Sequence, residues 1–358
     1  MNKRLWIFPI LVIFSMIVKI SWHALPFSDT KSTATTNQQV SSPRYSDSLP
    51  QEEMATETTP AIVEAKRLDK FNAYVEFSNA LSNMNVQLEK YVDEFGKNRQ
   101  PRIDNHFSFT FASISDNDLD NLKVGFAYAH ATPAYQSVDA TIEQMQPVVN
   151  NLTSVINKAH TYYETKGYLD DQFAKCKQYH SELIQSIEVY EELSRSYFKE
   201  FKKVENEFHS LQLQKFKDAG SNAPYYALKF LMDVESLSDE LSKQGITAQN
   251  MLALNMATFK PKYDQVAEDL DHLLMLVDKP EEARKAGYDP YSLKRYADTA
   301  KDVKIAAASL IERVNKKKAV ESYVLESKFF TKQEKGMPEN YKMKVKDAVV
   351  AYNLLLRK

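Results

Sequence analysis

The sequence contains a single cysteine, Cys176, so no internal disulfide can staple the fold. A lone thiol is compatible with an oxidising compartment without arguing for one. Glycine is scarce: seven in 358 residues, no two adjacent or one residue apart. Dinucleotide fingerprints and P-loops need clustered glycines to bring backbone against phosphate, so both are excluded. Charge of one sign is missing as well. The 46 basic and 48 acidic side chains leave a net charge of −2, whereas a nucleic-acid surface needs a clustered surplus of Lys and Arg. The one compact basic block, Lys316 to Lys318, is expected at a helix C-terminus, where cations meet the helix dipole favourably. Neither HExxH nor GxSxG occurs. On this reading no catalytic residue, cofactor or metal site is assigned.

What is present begins with an export signal. Lys3 and Arg4 precede an apolar run from Leu5 to Val18, interrupted by Pro9 and Ser15 and ended by Lys19. A basic start and a short apolar stretch fit a secretory signal. The run is short for a membrane span of about 20 residues, but continues through Ile20, Trp22 and Leu25 to a marginal one. Ala24 could precede a cleavage site, although Trp22 would then stand where a small residue is wanted. Residues 1–27 are therefore a signal peptide or a retained N-terminal membrane anchor. Residues 28–62 are rich in Ser, Thr and Pro with few large apolar side chains, and are expected to be a disordered tether.

From residue 63 to 358 the dominant pattern is helical. Tyr74, Phe77, Leu81, Met84, Leu88, Tyr91 and Phe95 recur at alternating steps of three and four, ended by Gly96. The same rhythm runs from Tyr135 to Tyr163, with Gly167 as its stop, and from Phe173 through Val204 and Phe208 to Leu211, with Gly220 beyond. It returns in Ala227 to Leu241, Leu293 to Val314 and Tyr341 to Leu355. Such spacing puts each set on one stripe of a helix, whereas strands need period two. The predicted fold is all-α: an elongated antiparallel bundle of long helices with coiled-coil-like seams. Pro224 and Pro338 read as first-turn prolines, and Pro147 should kink or break its helix. Phe107, Phe109 and Phe111 alternate strictly. They suggest one short strand near 106–112, or a loop whose aromatics plug a bundle end.

Three stretches together resemble the DUF3829 (YiiG-like) family of bacterial envelope proteins and lipoproteins. They are Lys70-Phe71-Asn72-Ala73-Tyr74-Val75; Tyr162-Tyr163 through Tyr168-Leu169-Asp170-Asp171 to Phe173-Ala174-Lys175 and His180; and Ala351-Tyr352-Asn353. The resemblance covers about residues 66–356. It implies a helical extracytoplasmic domain and supplies no catalytic residues. Many members resemble lipoproteins with a lipidated cysteine at the signal cleavage site. This chain has no cysteine before Cys176, so an uncleaved anchor or release into the periplasm is expected in place of a lipid.

The residues with chemical promise lie in the middle stretch. Cys176 and His180, four apart on one helical face, could share a ligand, but both fall on an apolar stripe, where a free cysteine behaves as a small hydrophobe. Tyr163, Tyr168, Asp170, Asp171 and His180 form the candidate structural or ligand motif. Asp170 or Asp171 would cap the helix that follows Gly167, and Tyr162, Tyr163 or Tyr168 would satisfy His180. Glu191-Glu192, Glu281-Glu282 and Asp269-Asp271 are paired carboxylates of the kind that solvated helices carry, and the histidines at 106, 130, 160, 209 and 272 are scattered. Tyr225, Tyr226, Tyr288 and Tyr291 near helix ends could be core, or could contact a glycan or partner protein. The leading expectation is a non-catalytic envelope protein, extracytoplasmic and held at the membrane by its N-terminal segment, that binds another envelope protein or a cell-wall component. The alternative is a cell-wall-directed enzyme, or a ligand- or metal-binding protein, with its site at His180 and the neighbouring tyrosines.

Overall fold

A computed structural model of the chain describes residues 60–97 and 112–356. The N-terminal segment, nearly all of the expected tether and the Phe107–Phe111 stretch lie outside the described residues. Among the described residues there is no strand, and no helix is long and apolar enough to cross a membrane. The helices are α1 (Pro60–Phe95), α2 (Asp116–Tyr128), α3 (Gln136–Glu164), α4 (Ala174–Asp218), α5 (Asn222–Lys243), α6 (Met256–Val277), α7 (Pro280–Lys285), α8 (Pro290–Asn315), α9 (Ser322–Leu325), α10 (Lys328–Gln333) and α11 (Pro338–Leu355). The fold is all-α.

Two apolar cores result. The first is built by α1 to α4 and runs from Leu68 to Phe208; the second is built by the end of α4 with α5, α6, α8 and α11, from Phe216 to Leu355. α4 is common to both. At 45 residues it is roughly 68 Å long at 1.5 Å per residue. α1 runs antiparallel to it: Arg67 pairs with Glu207, Ser78 bonds Tyr197, Asn85 bonds Tyr190 and Tyr91 bonds His180. α5 then turns back along α4, with Lys202 on Glu235. The second group of helices therefore lies beside the first. Every stripe residue of α1 named above is buried, each contributing about 1.5–3 kcal/mol in water-to-core transfer.

The helix starts follow local chemistry. Ser115 accepts the Asp118 amide, Asn255 that of Ala257 and Asp289 that of Ser292, each side chain satisfying an orphan donor. Pro338 opens α11, and Pro224 lies in the first turn of α5. Gly96, Gly220 and Gly245 end α1, α4 and α5 with φ near +65°, where a glycine bears no Cβ penalty.

Three expectations need correction. Pro147 does not break α3, which is continuous through it; its ring projects from the exposed face. The left-handed residue after α3 is Lys166, not Gly167. The stripe of α4 continues through Val204, which packs half-buried against the first core, and Phe208, but does not reach Leu211. Leu211 is 43% exposed, and the buried positions are Glu205, Phe208, His209, Gln212 and Phe216. A straight helix has 3.6 residues per turn, so over a long helix a strict 3.5-residue count drifts off the buried face.

Candidate functional site

The turn between α3 and α4 carries most of the sequence motif. Gln172 and Phe173 both have positive φ, 51° and 67°, a conformation costing a non-glycine residue roughly 1–2 kcal/mol. Side chains hold it in place. The Phe173 ring stacks on Tyr168 at 5.3 Å, and Tyr162 meets Tyr168 edge-on at 6.3 Å. Asp171 accepts the Tyr162 hydroxyl at 2.7 Å and the Lys175 amide at 3.2 Å. Its carboxylate thus serves the first turn of α4 from outside the helix, and these bonds hold its pKa below the ordinary carboxylate value, against desolvation, the largest single effect. Asp170 is exposed and makes no side-chain hydrogen bond among the described residues.

His180 belongs to a different contact. Its Nδ1 lies 3.0 Å from the Tyr91 hydroxyl of α1, so its partner is Tyr91 and not the tyrosines of the turn. Nearby on α3, the Tyr163 hydroxyl lies 3.0 Å from Cys176 Sγ. These two contacts tie α1 and α3 each to α4 inside the first core. Desolvation lowers the His180 pKa and raises that of Cys176. A neutral imidazole and a protonated thiol are the opposite of an activated nucleophile pair. Among the described residues no group of three or more His, Cys, Asp or Glu is arranged to hold a metal ion.

Three lysine–carboxylate clusters that include a buried carboxylate cross between helices. Lys70, wholly buried on α1, donates to Asp139 at 2.8 Å and to the Ala131 carbonyl at 2.7 Å, and Asp139 also accepts the Tyr74 hydroxyl. Lys229 on α5 donates to Asp233 and to both oxygens of Asp269 on α6, at 2.7–2.9 Å. Desolvation, together with the neighbouring Asp233, pushes Asp269 up to about 7.

The third cluster lies where α4 meets α5. Lys202 donates to Glu235 at 2.7 Å and sits 2.8 Å from Glu205 Oε2 without hydrogen-bond geometry. His209, one turn on from Glu205, is 1% exposed, and neither ring nitrogen has a hydrogen-bond partner. Gln212 Oε1 is likewise unpartnered. Desolvation raises both glutamates and lowers His209 to about 4. One lysine thus faces the buried Glu205, the mostly buried Glu235 and a neutral imidazole.

A family model described as "Protein of unknown function (DUF3829)" matches residues 65–354. The chain belongs to this family. Comparison with curated proteins and with solved structures gives no match.

Within this DUF3829 domain the remaining candidates are spread out. Glu191 is taken by Lys97 at 2.7 Å, and Glu281 and Glu282 pair with Arg284 and Lys279 along the surface of α7. Asp269 is buried while Asp271 is exposed. His130 and His160 lie beside Glu143 and Glu164, and His272 stacks on Tyr226 at 4.4 Å. His106 lies outside the described residues. Tyr288 is buried with its hydroxyl unpartnered, and Tyr291 is 74% exposed. Glu205 and Glu235 carry no signal in the sequence, because nothing in their spacing differs from a solvated helix face. Lys316 to Lys318 are exposed at the C-terminal end of α8.

Proposed function

We propose that the chain is a non-catalytic envelope protein, attached through its N-terminal segment, whose stiff helical body binds or braces another component of the envelope. The observation that supports this is where the tyrosine hydroxyls go. Tyr197 bonds the Tyr74 carbonyl at 3.1 Å, Tyr296 the Ala227 carbonyl and Tyr341 the Val234 carbonyl, both at 2.8 Å. Each carbonyl belongs to a neighbouring helix, so each bond is a cross-tie between two rods. With the Tyr91–His180 and Tyr163–Cys176 contacts, these hydroxyls stitch helices together, as a brace requires. A reactive site would instead turn such groups toward a cleft.

The test is cross-linking in intact cells with a tagged full chain, followed by fractionation and sequencing of its N-terminus. A reproducible envelope-protein or cell-wall adduct in the membrane or periplasmic fraction is expected. Recovery in the cytosol, or purified protein carrying stoichiometric metal that His180→Gln removes, would overturn the reading.

A further inference from the structure

The segment after α8 displays aromatic side chains that the fold does not use. Phe329 and Phe330 are the two exposed phenylalanines among the described residues, Phe329 at 65%. With exposed Tyr323 they pack on one another, at 6.0 Å for Tyr323–Phe330 and 5.8 Å for Phe329–Phe330. Their neighbours Val324 and Thr331 face inward and are buried. The segment is held firmly. Arg313 donates to the Ala319 carbonyl at one end and to Glu334 and the Lys335 carbonyl at the other. Lys328 reaches across to Glu89 and Asp93 of α1, both at 2.7 Å. The aromatic group is therefore presented on a fixed mount.

The segment is itself basic. Residues 316–335 hold six lysines against three glutamates, and one of those glutamates, Glu334, is taken by Arg313. Lys317, Lys318, Lys332 and Lys335 are exposed, and none of their ammonium groups is in an ion pair among the described residues. Exposed rings flanked by free lysines match the chemistry of an anionic bilayer surface. Rings settle at the level of the headgroups and acyl boundary, while the lysine heads reach the phosphates.

We propose that α9 and α10, with the lysines around them, dock on an anionic lipid surface. This rests on the membrane-attached reading above and adds an orientation to it. Glu89 lies 29 residues along α1 from Pro60, about 44 Å at 1.5 Å per residue. Attachment through the N-terminal segment at one end and docking beside Glu89 at the other lay the bundle along the membrane.

The test is hydrogen exchange of the full chain on vesicles of phosphatidylcholine alone and of phosphatidylcholine with 30% phosphatidylglycerol, with flotation measured in parallel. On the anionic vesicles, amides of residues 322–333 are expected to exchange at least threefold more slowly than on the neutral ones. The difference should vanish in 0.5 M NaCl, in Lys317→Glu/Lys318→Glu/Lys332→Glu, and in Phe329→Ser/Phe330→Ser, with exchange in α4 unchanged as the control on folding. Equal exchange on both vesicle types, or protection that survives the lysine changes, overturns the docking. Flotation separates the two readings. A chain that floats with both vesicle types but leaves 322–333 unprotected keeps its attachment and loses this surface. A chain that floats only with anionic vesicles and protects 322–333 keeps the surface and loses the N-terminal attachment.

Discussion

His209 is the residue whose surroundings make the sharpest statement about pH. Desolvation lowers its pKa to about 4 in the folded chain, against an ordinary 6.5. Between those values the unfolded chain binds a proton that the folded chain refuses, so stability from this group is complete above about pH 6.5 and is lost as pH falls toward 4. The full depth is on the order of 3 kcal/mol. Glu205 and Glu235 act in the opposite sense. Desolvation raises them, so they favour folding at low pH and withdraw that support as pH rises. The two effects are separated by His209→Leu, which fills the site and cannot titrate. Urea unfolding of wild type and variant from pH 4 to 7.5 should show the variant gaining on the wild type as pH drops below 6.5; parallel curves would refute a buried neutral imidazole. A second contrast lies in the α3–α4 turn. Asp171 accepts two hydrogen bonds and Asp170 makes none from its side chain. Asp171→Ala should lower the urea midpoint, and Asp170→Ala should leave it unchanged.

Among the elements, α2 is positioned by the residue it lacks a side chain for. A Cβ on Gly125 would meet the Phe77 ring of α1 at 2.3 Å, so Gly125→Ala must push the two helices apart, at a cost of about 1–3 kcal/mol for overpacking. Gly220→Ala meets nothing within 4 Å and carries only the roughly 1–2 kcal/mol penalty of its positive φ. Thermal unfolding of the two variants should rank Gly125→Ala as the more damaging, with near-ultraviolet dichroism of the aromatic core altered in that variant alone. The end of a stripe marks Gly220 as a helix stop in the sequence, but nothing around Gly125 reveals the Phe77 ring that it accommodates. The stripes of α1, α3, α5, α8 and α11 were legible because apolar spacing directly encodes which face is buried. α2 and α6 were not singled out, since their buried residues are fewer and interrupted by charge: Leu122 and Phe126 in one; Phe259, Val266, Leu270, Leu273 and Leu276 in the other. Of the candidate site, a role for Asp171 at the start of α4 is legible in the sequence, but the cap position is Phe173, which makes no side-chain cap bond, and neither Asp170 nor Asp171 occupies it. The Tyr91 partner of His180 is not legible, because a contact across 89 residues leaves no local pattern.

At the scale of the molecule, α4 decides whether the chain unfolds as one body or two. Its residues Cys176 to Phe208 line the first core and Phe216 the second, and Lys202 ties it to α5 between them through Glu235. Removing that lysine leaves the buried Glu205 and the mostly buried Glu235 with no cation beside them. Breaking a buried ion pair from one side costs about 3–5 kcal/mol, because the remaining charge keeps its desolvation penalty without its partner. Removing the charges together behaves differently. In Lys202→Met/Glu205→Gln/Glu235→Gln no ion is left at this junction, and such replacements are often neutral or stabilising by about 1–4 kcal/mol. Lys202→Ala should therefore be much less stable than the triple variant, although it changes one position and not three. Two probes test both the energies and the cooperativity: a fluorophore reporting on the α1–α4 core and another on the α5–α11 core, followed through one urea titration. In the wild type the two transitions should coincide, since melting either core strips α4 of its cover. Loss of the Lys202 tie should shift both midpoints down together, whereas a shift confined to the second core would mean that the bundles beside α4 stand independently and that the spine does not couple them.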